Sequence, residues 1–155
     1  MTEADTSAIS RLRCREIMTK NVRTATSDMS LVDVATMMRD GDMGAVPVVD
    51  DGKLIGIVTD RDIVVRGVAD SKPADSAIAE VMTSEMFTVA PDDFVFEAIR
   101  LMGDKQIRRI PVINKAGELV GIIAMADVAL ETEDEREIAE TLEEISSGSA
   151  FWSKN

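Results

Sequence analysis

An internal repeat with a constant 64-residue offset governs what this chain of 155 residues can fold into. Ile17-Met18-Thr19 returns as Val81-Met82-Thr83, and Ala45-Val46-Pro47-Val48-Val49 returns as Arg109-Ile110-Pro111-Val112-Ile113. Between these landmarks Leu31, Val34, Ala35 and Met38 fall at i, i+3, i+4 and i+7, and Val95, Ala98, Ile99 and Met102 hold the same places in the second copy. That spacing predicts one amphipathic helix per repeat. Ser27-Asp28 and Pro91-Asp92 precede the two helices and are expected to supply a polar cap or a fixed φ at their starts.

A turn follows the proline strand: Asp50-Asp51-Gly52-Lys53 in the first repeat and Asn114-Lys115-Ala116-Gly117-Glu118, one residue longer, in the second. The offset is 65 from there on. Leu54-Ile55-Gly56-Ile57-Val58 and Leu119-Val120-Gly121-Ile122-Ile123 read as short apolar strands whose glycines admit a close neighbour. Each ends in a short helix. The first is expected over Asp60 to Arg66, with Gly67 as its C′ residue, and the second starts near Ala126 and runs on into an acidic segment.

Each repeat is thus predicted as strand, helix, strand, turn, strand, short helix. A unit of that size buries only ~60% of its chain surface, so the two are expected to pack through their sheets as one pseudo-twofold α/β domain, each repeat a short sheet with flanking helices. The organisation read from the sequence is an N-terminal arm at 1–12, repeats at 13–68 and 77–130 joined by a linker at 69–76, an acidic C-terminal helix at 131–146 and a flexible tail at 147–155.

Composition removes most chemistries. There is no histidine and a single cysteine, Cys14, so a disulfide framework, a Cys/His zinc site and a Cys-His or Ser-His pair are all excluded. No metal-ligand spacing and no Gly-rich phosphate loop appears either, so no catalytic residue is assigned and the chain is read as a non-enzyme. The net charge of −12 opposes binding to nucleic-acid backbones. Glu131 to Glu144 carries eight acidic residues against Arg136, leaving the remainder mild enough for a local anion site. With no basic-then-apolar start and no run of eighteen apolar residues, neither a signal peptide nor a membrane span is read, and the expected location is cytoplasmic.

The repeat resembles the CBS domain family, which is marked by a hydrophobic-Pro-hydrophobic strand, a Gly-hydrophobic-hydrophobic-Ser/Thr-x-x-Asp stretch and tandem duplication. The first repeat carries the whole signature, in Val46-Pro47-Val48 and Gly56-Ile57-Val58-Thr59-Asp60-Arg61-Asp62. The second keeps Ile110-Pro111-Val112 and Gly121-Ile122-Ile123 but reads Ala124-Met125-Ala126-Asp127, so the hydroxyl is missing and the aspartate retained. The pattern is most similar to small bacterial stand-alone CBS pairs of the hypoxic-response type. The resemblance implies a regulatory module, commonly a homodimer, with AMP, ADP or ATP in the clefts between repeats, or less often S-adenosylmethionine, NAD or a cyclic dinucleotide. No cofactor is required, and the protein target is unknown.

By the same resemblance Thr59, Asp62 and Asp127 become ribose-binding residues, since an aspartate at a helix start can accept from both ribose hydroxyls. Adenine maps onto Thr24, Ala25, Val46 and Pro47 in one cleft and onto Thr88, Val89, Ile110 and Pro111 in the other. Arg108 and Arg109 become the phosphate candidates, whose guanidinium forks suit phosphate oxygens. The corresponding first-repeat positions are Gly44 and Ala45, which implies unequal sites.

The residues themselves also admit structural readings. Thr59-x-x-Asp62 has the form of a capping box, Arg108 and Arg109 could be strand-edge charges, and Pro47 and Pro111 could mark strand edges. A structural or protein-interaction module with vestigial sites therefore stands beside the nucleotide reading. Cys14 is expected to be a small, partly buried side chain, and the ten methionines are expected to fill the core. Ile138, Leu142 and Ile145 put an apolar stripe on the acidic helix, and Phe151 and Trp152 lie in the tail.

Overall fold

A computed structural model describes residues 11–131 of the chain. Most of the N-terminal arm, the acidic helix beyond Glu131 with its Ile138, Leu142 and Ile145, and the tail with Phe151 and Trp152 lie outside the described residues. The described residues are mixed α/β, with two separate two-stranded sheets, and fall into two compact units. One holds residues 23–86 and 116–119; the other holds residues 11–22, 87–115 and 120–131.

In the first of these units, helix α2 (Leu31–Gly41) places Leu31, Val34 and Met38 in the core, as the spacing predicts. Its cap is Ser30, whose Oγ accepts from the Asp33 amide at 3.1 Å. Ser27 and Asp28 do not cap the helix: Ser27 donates to Asp50, and Thr26 donates to Asp28. The helix stops at Asp42, in the left-handed region at φ 49°, where the Met43 amide reaches back to the Met38 carbonyl at 3.0 Å. Strands β1 (Ala45–Asp50) and β2 (Lys53–Thr59) then pair antiparallel from Ala45↔Thr59 to Asp50↔Lys53, with a bulge between Val48 and Val49. Asp51 and Gly52 both have positive φ, the condition for a hairpin turn whose twist matches its strands.

The expected leading strand is reduced to one residue. Ala25 donates to Pro47 O and accepts from the Val49 amide, a single parallel bridge beside β1. Thr26–Asp28 turns away immediately afterwards, so no longer ladder forms. Beyond β2 comes the α-turn α3 (Asp60–Asp62), continued by a π-helical turn over Ile63–Val68. Gly67 is therefore not a C′ residue but lies inside this segment. It is buried, and a Cβ there would stand 3.2 Å from Leu31 Cδ1, so its role is close packing against α2.

The other unit repeats the plan. Its α1 is the single turn Cys14–Ile17, its α4 is Val95–Lys105, and β3 (Arg109–Ile113) pairs with β4 (Leu119–Ala124), followed by α5 (Met125–Glu131). Val89 makes the one-residue bridge to Val112 that Ala25 makes to Val48. Here α4 has no side-chain cap, because Phe94 stands at the N-cap position, and Asp93 accepts from the Ala90 amide instead.

The units do not follow the repeats in chain order. The opening segment of the first repeat, with buried Cys14, belongs to the core built on α4, Ile110, Val112 and Ile123. The opening of the second repeat, with buried Ile78 and Val81, belongs to the core built on α2, Val46, Val48 and Val58. In each case a threonine closes a two-bond bridge: Thr83 with Ile57 at 2.8 and 2.9 Å, and Thr19 with Ile122 at 2.8 and 3.0 Å. A methionine sulfur and a threonine carbonyl both crowd the glycine beside each bridge. A Cβ on Gly56 would stand 2.6 Å from Met82 Sδ, and one on Gly121 the same distance from Met18 Sδ.

Methionines do fill the interior: Met38, Met102 and Met125 are buried, and Met18, Met29, Met37, Met43 and Met82 pack around the two cores. Cys14 is fully rather than partly buried. Among the described residues, no helix is long and apolar enough to cross a membrane.

Candidate functional site

The ribose candidates sit at the starts of the helices that follow β2 and β4. Thr59 ends β2 with extended backbone, and the chain turns into α3 at Asp60. Thr59 Oγ1 accepts from the Asp62 amide at 3.1 Å while Asp62 Oδ2 accepts from the Thr59 amide at 2.9 Å. Both halves of a capping box are therefore made, so the structural role read from the sequence is present. It occupies one carboxylate oxygen of a half-exposed Asp62. At the matching place in the other unit Asp127 Oδ2 accepts from the Ala124 amide at 2.9 Å, and the reciprocal bond is missing because Ala124 has no hydroxyl.

Backbone hydrogen bonds fix what stands next to each cap. The Asp60 amide donates to Gly44 O at 3.0 Å, and the Met125 amide donates to Arg108 O at 2.9 Å. The residue preceding the proline strand is thereby held against the helix start in both units. In one unit that residue is Arg108, whose carbonyl is bound by Met125, two residues before Asp127. In the other it is Gly44, over which the Asp60 carboxylate lies, 3.6 Å from where a Cβ would be.

Arg108 and Arg109 are exposed, and among the described residues neither enters an ion pair. Asp60 is not picked out by the signature. It emerges only when the second half of the repeat is aligned with the one-residue turn insertion, which pairs it with Met125.

Thr24, Ala25, Val46 and Pro47 are brought together in one unit by the Ala25 bridge, and Thr88, Val89, Ile110 and Pro111 in the other by the Val89 bridge. Val46 and Ile110 are wholly buried, so a base placed beside either strand would meet backbone groups and not those side chains. Every buried side-chain polar atom among the described residues has a partner.

This repeated strand, hairpin and capped-helix plan has a counterpart in known proteins. The CBS domain family profile matches residues 14–67 and 78–134. The chain belongs to the CBS domain family. The uncharacterised protein YlbB of Bacillus subtilis is 38% identical over 138 residues, covering 88% of this chain and 93% of its own. Among solved CBS structures, Hypoxic Response Protein I with two coordinated zinc ions has TM-score 0.70 at 34% identity, over 77% of this chain and 98% of its own.

The CBS pair of MJ0100 in complex with 5′-methylthioadenosine and S-adenosylmethionine has TM-score 0.68 at 29% identity, over 77% and 98%. CBSX2 in complex with AMP has TM-score 0.70 at 25% identity, over 76% and 93%. The chain lacks histidine, its cysteine is buried, and no group of three acidic or cysteine residues among the described ones could hold a metal ion.

Proposed function

We propose that this chain is a non-catalytic regulatory module that binds an adenosine nucleotide of the AMP, ADP or ATP class and signals through a change in dimer shape or partner affinity. The observation that carries the reading is the pair of helix-start aspartates, Asp62 and Asp127. Each is oriented by one backbone amide through Oδ2 and keeps its second oxygen for another donor. Two vicinal ribose hydroxyls are such donors. Arg108 and Arg109 are the phosphate ligands, and the segments at Thr24-Ala25 and Thr88-Val89 line the base. The AMP held by one CBS neighbour and the adenosine derivatives held by another support this ligand class. A cytoplasmic location is part of this reading.

The signal needs two states with different affinity for the ligand, since a ligand bound equally by both shifts nothing. In this reading the two states are two arrangements of a homodimer. Val64, Val65 and Val68 are 58%, 47% and 69% exposed, and Val32 in the same unit is 52% exposed, so this unit presents apolar side chains that a second copy could cover. The same valines support a second reading, in which the caps are purely structural and the chain is an interaction module. Ala124 favours that reading for one cap.

Calorimetry of the purified chain with AMP, ADP, ATP, NAD and S-adenosylmethionine separates the two. Saturable micromolar binding that disappears in Thr59→Ala/Asp62→Ala and weakens in Arg108→Ala/Arg109→Ala supports the sensor. Folded protein that binds none of them leaves the interaction module.

A further inference from the structure

We infer that the homodimer joins unlike units. The unit of residues 23–86 and 116–119 in one copy is covered by the other unit of its partner, with Val64, Val65 and Val68 packed on the partner's Phe96, Ala129 and Leu130. This rests on the dimer reading above and assigns that dimer its surfaces and its pairing.

Both units leave the same face of the repeat apolar. Val64, Val65 and Val68 lie on the π-helical turn, which Gly67 seats against Leu31 at the start of α2, next to the exposed Val32. In the other unit α5 packs on α4, and Leu130 near the end of α5 is 84% exposed. The repeat offsets put these residues at matching places: Val32 pairs with Phe96, Val64 with Ala129 and Val65 with Leu130. Phe96 is half-buried and carries the Arg100 guanidinium 4.4 Å above its ring. Exposed apolar side chains gathered on one face and rimmed by charges are the composition of a contact between proteins.

Charge decides which face meets which. Val65-Arg66 in one repeat corresponds to Leu130-Glu131 in the other. In a twofold contact between like units, Arg66 comes up against a second Arg66, and Glu131 against a second Glu131 with Glu133, Asp134 and Glu135 following it. Between unlike units Arg66 meets Glu131. Among the described residues Arg66 enters no ion pair; its Nη1 reaches the Val81 and Met82 carbonyls at 3.5 and 3.4 Å. Arg61 corresponds to Ala126, and Thr36 to Arg100, so like pairing doubles each cation while unlike pairing sets it beside an uncharged residue. Asp33 and Glu97 have the same sign, as do Asp70 and Glu135, and do not distinguish the pairings. The whole units agree with the local pattern. Six Lys/Arg against thirteen Asp/Glu make the valine-bearing unit −7, whereas nine against seven make the described residues of the other +2. Unlike units therefore attract as they approach, and two valine-bearing units repel.

Cross-linking of the full chain tests the pairing. Val65→Cys and Leu130→Cys chains are oxidised with copper phenanthroline, each alone and mixed one to one after subunit exchange; Cys14, fully buried, stays out of reach. The mixture is expected to give a covalent dimer joined through residues 65 and 130, identified in the linked peptide, while either variant alone stays mostly monomeric on a non-reducing gel. Sedimentation adds a charge test. Arg66→Glu and Glu131→Arg should each weaken the dimer by about fivefold, since a twofold contact holds the pair twice. The double variant should restore it, because its charges are exchanged and not removed.

Covalent dimer from the Val65→Cys chain alone, linked through residue 65 of both copies, overturns the assignment in favour of like pairing. So does a double charge variant, folded by circular dichroism, that dimerises no better than the single ones. If the unaltered chain sediments as a dimer that neither cysteine captures, alone or mixed, this proposal alone falls. If it sediments as a monomer at every concentration, the dimer reading falls with it.

Discussion

Thr59 and Asp62 exchange hydrogen bonds, amide to carboxylate at 2.9 Å and amide to hydroxyl at 3.1 Å, whereas Ala124 and Asp127 at the matching helix start make only the first. The difference is one hydroxyl. A threonine at a helix start satisfies an amide that otherwise lacks a partner within the helix, an effect of about 1 kcal/mol. Ala124→Thr is therefore expected to raise stability by about 0.5–1 kcal/mol in urea unfolding. Thr59→Ala should lower it by a similar amount. A destabilised Ala124→Thr chain would show that the second helix start cannot close the same box.

Gly56 and Gly121 stand opposite threonine carbonyls as well as methionine sulfurs. A Cβ on Gly121 would approach Thr19 O to 2.9 Å, and one on Gly56 would approach Thr83 O to 3.1 Å. A methionine can swing away; a backbone carbonyl held in a two-bond bridge cannot do so without breaking the bridge. Both alanine substitutions should destabilise, by about 1–3 kcal/mol, the range for overpacking. Gly121→Ala is expected to be the worse of the two in thermal or urea unfolding. Equal or reversed costs would mean that the sulfur contact and not the carbonyl sets the penalty.

Asp50 accepts from both the hydroxyl and the amide of Ser27, at 2.5 and 3.0 Å, and these bonds hold its carboxyl below the usual value of 3.8. Ser27 hydroxyl is the larger cause, its amide the smaller. A carboxylate with a depressed folded pKa contributes stability that is present above the unfolded pKa and is lost as pH falls through the folded one. The contribution should thus persist at pH 5 and fade below about pH 4. Asp50→Asn is expected to show a shallower acid limb in unfolding followed from pH 6 to pH 2. Identical limbs would remove Asp50 from the acid response.

The repeat makes most of the fold legible in the sequence alone. Leu31, Val34 and Met38, and Val95, Ala98, Ile99 and Met102, lie in the core because helical periodicity reports burial directly. Periodicity could not show that Cys14 and Ile78 pack into the core of the opposite repeat, since a segment's partner is chosen by tertiary fit and not by its own pattern. Gly67 misled for a related reason: glycine signals a helix stop and a close contact equally, and only Leu31 Cδ1 at 3.2 Å decides between them. At the candidate site the signature residues Thr59, Asp62 and Asp127 were visible as a motif. Asp60 was not, because its meaning depends on Gly44, sixteen positions earlier and joined to it by a backbone hydrogen bond.

Cys14 offers a readout of whether the opening segment stays docked. Its side chain is fully buried, and its thiol pKa is pushed up to about 12, first by loss of water and then by the carboxylates of Asp93 and Glu97. An inaccessible, protonated thiol is unreactive. A disulfide reagent such as Ellman's should therefore leave the native protein unmodified at pH 8 and modify it at the rate at which the segment opens, with full reaction in urea. The raised pKa also sets an alkaline limit. Its contribution is complete below the unfolded thiol value near ~8.5 and is lost as pH rises towards the folded value of about 12, so stability should decline between these limits. Cys14→Ala should flatten that decline. Rapid labelling of the native chain, at the rate of a free thiol, would show that residues 14–19 leave their unit without global unfolding, and that the exchanged segments are the loosest part of the fold.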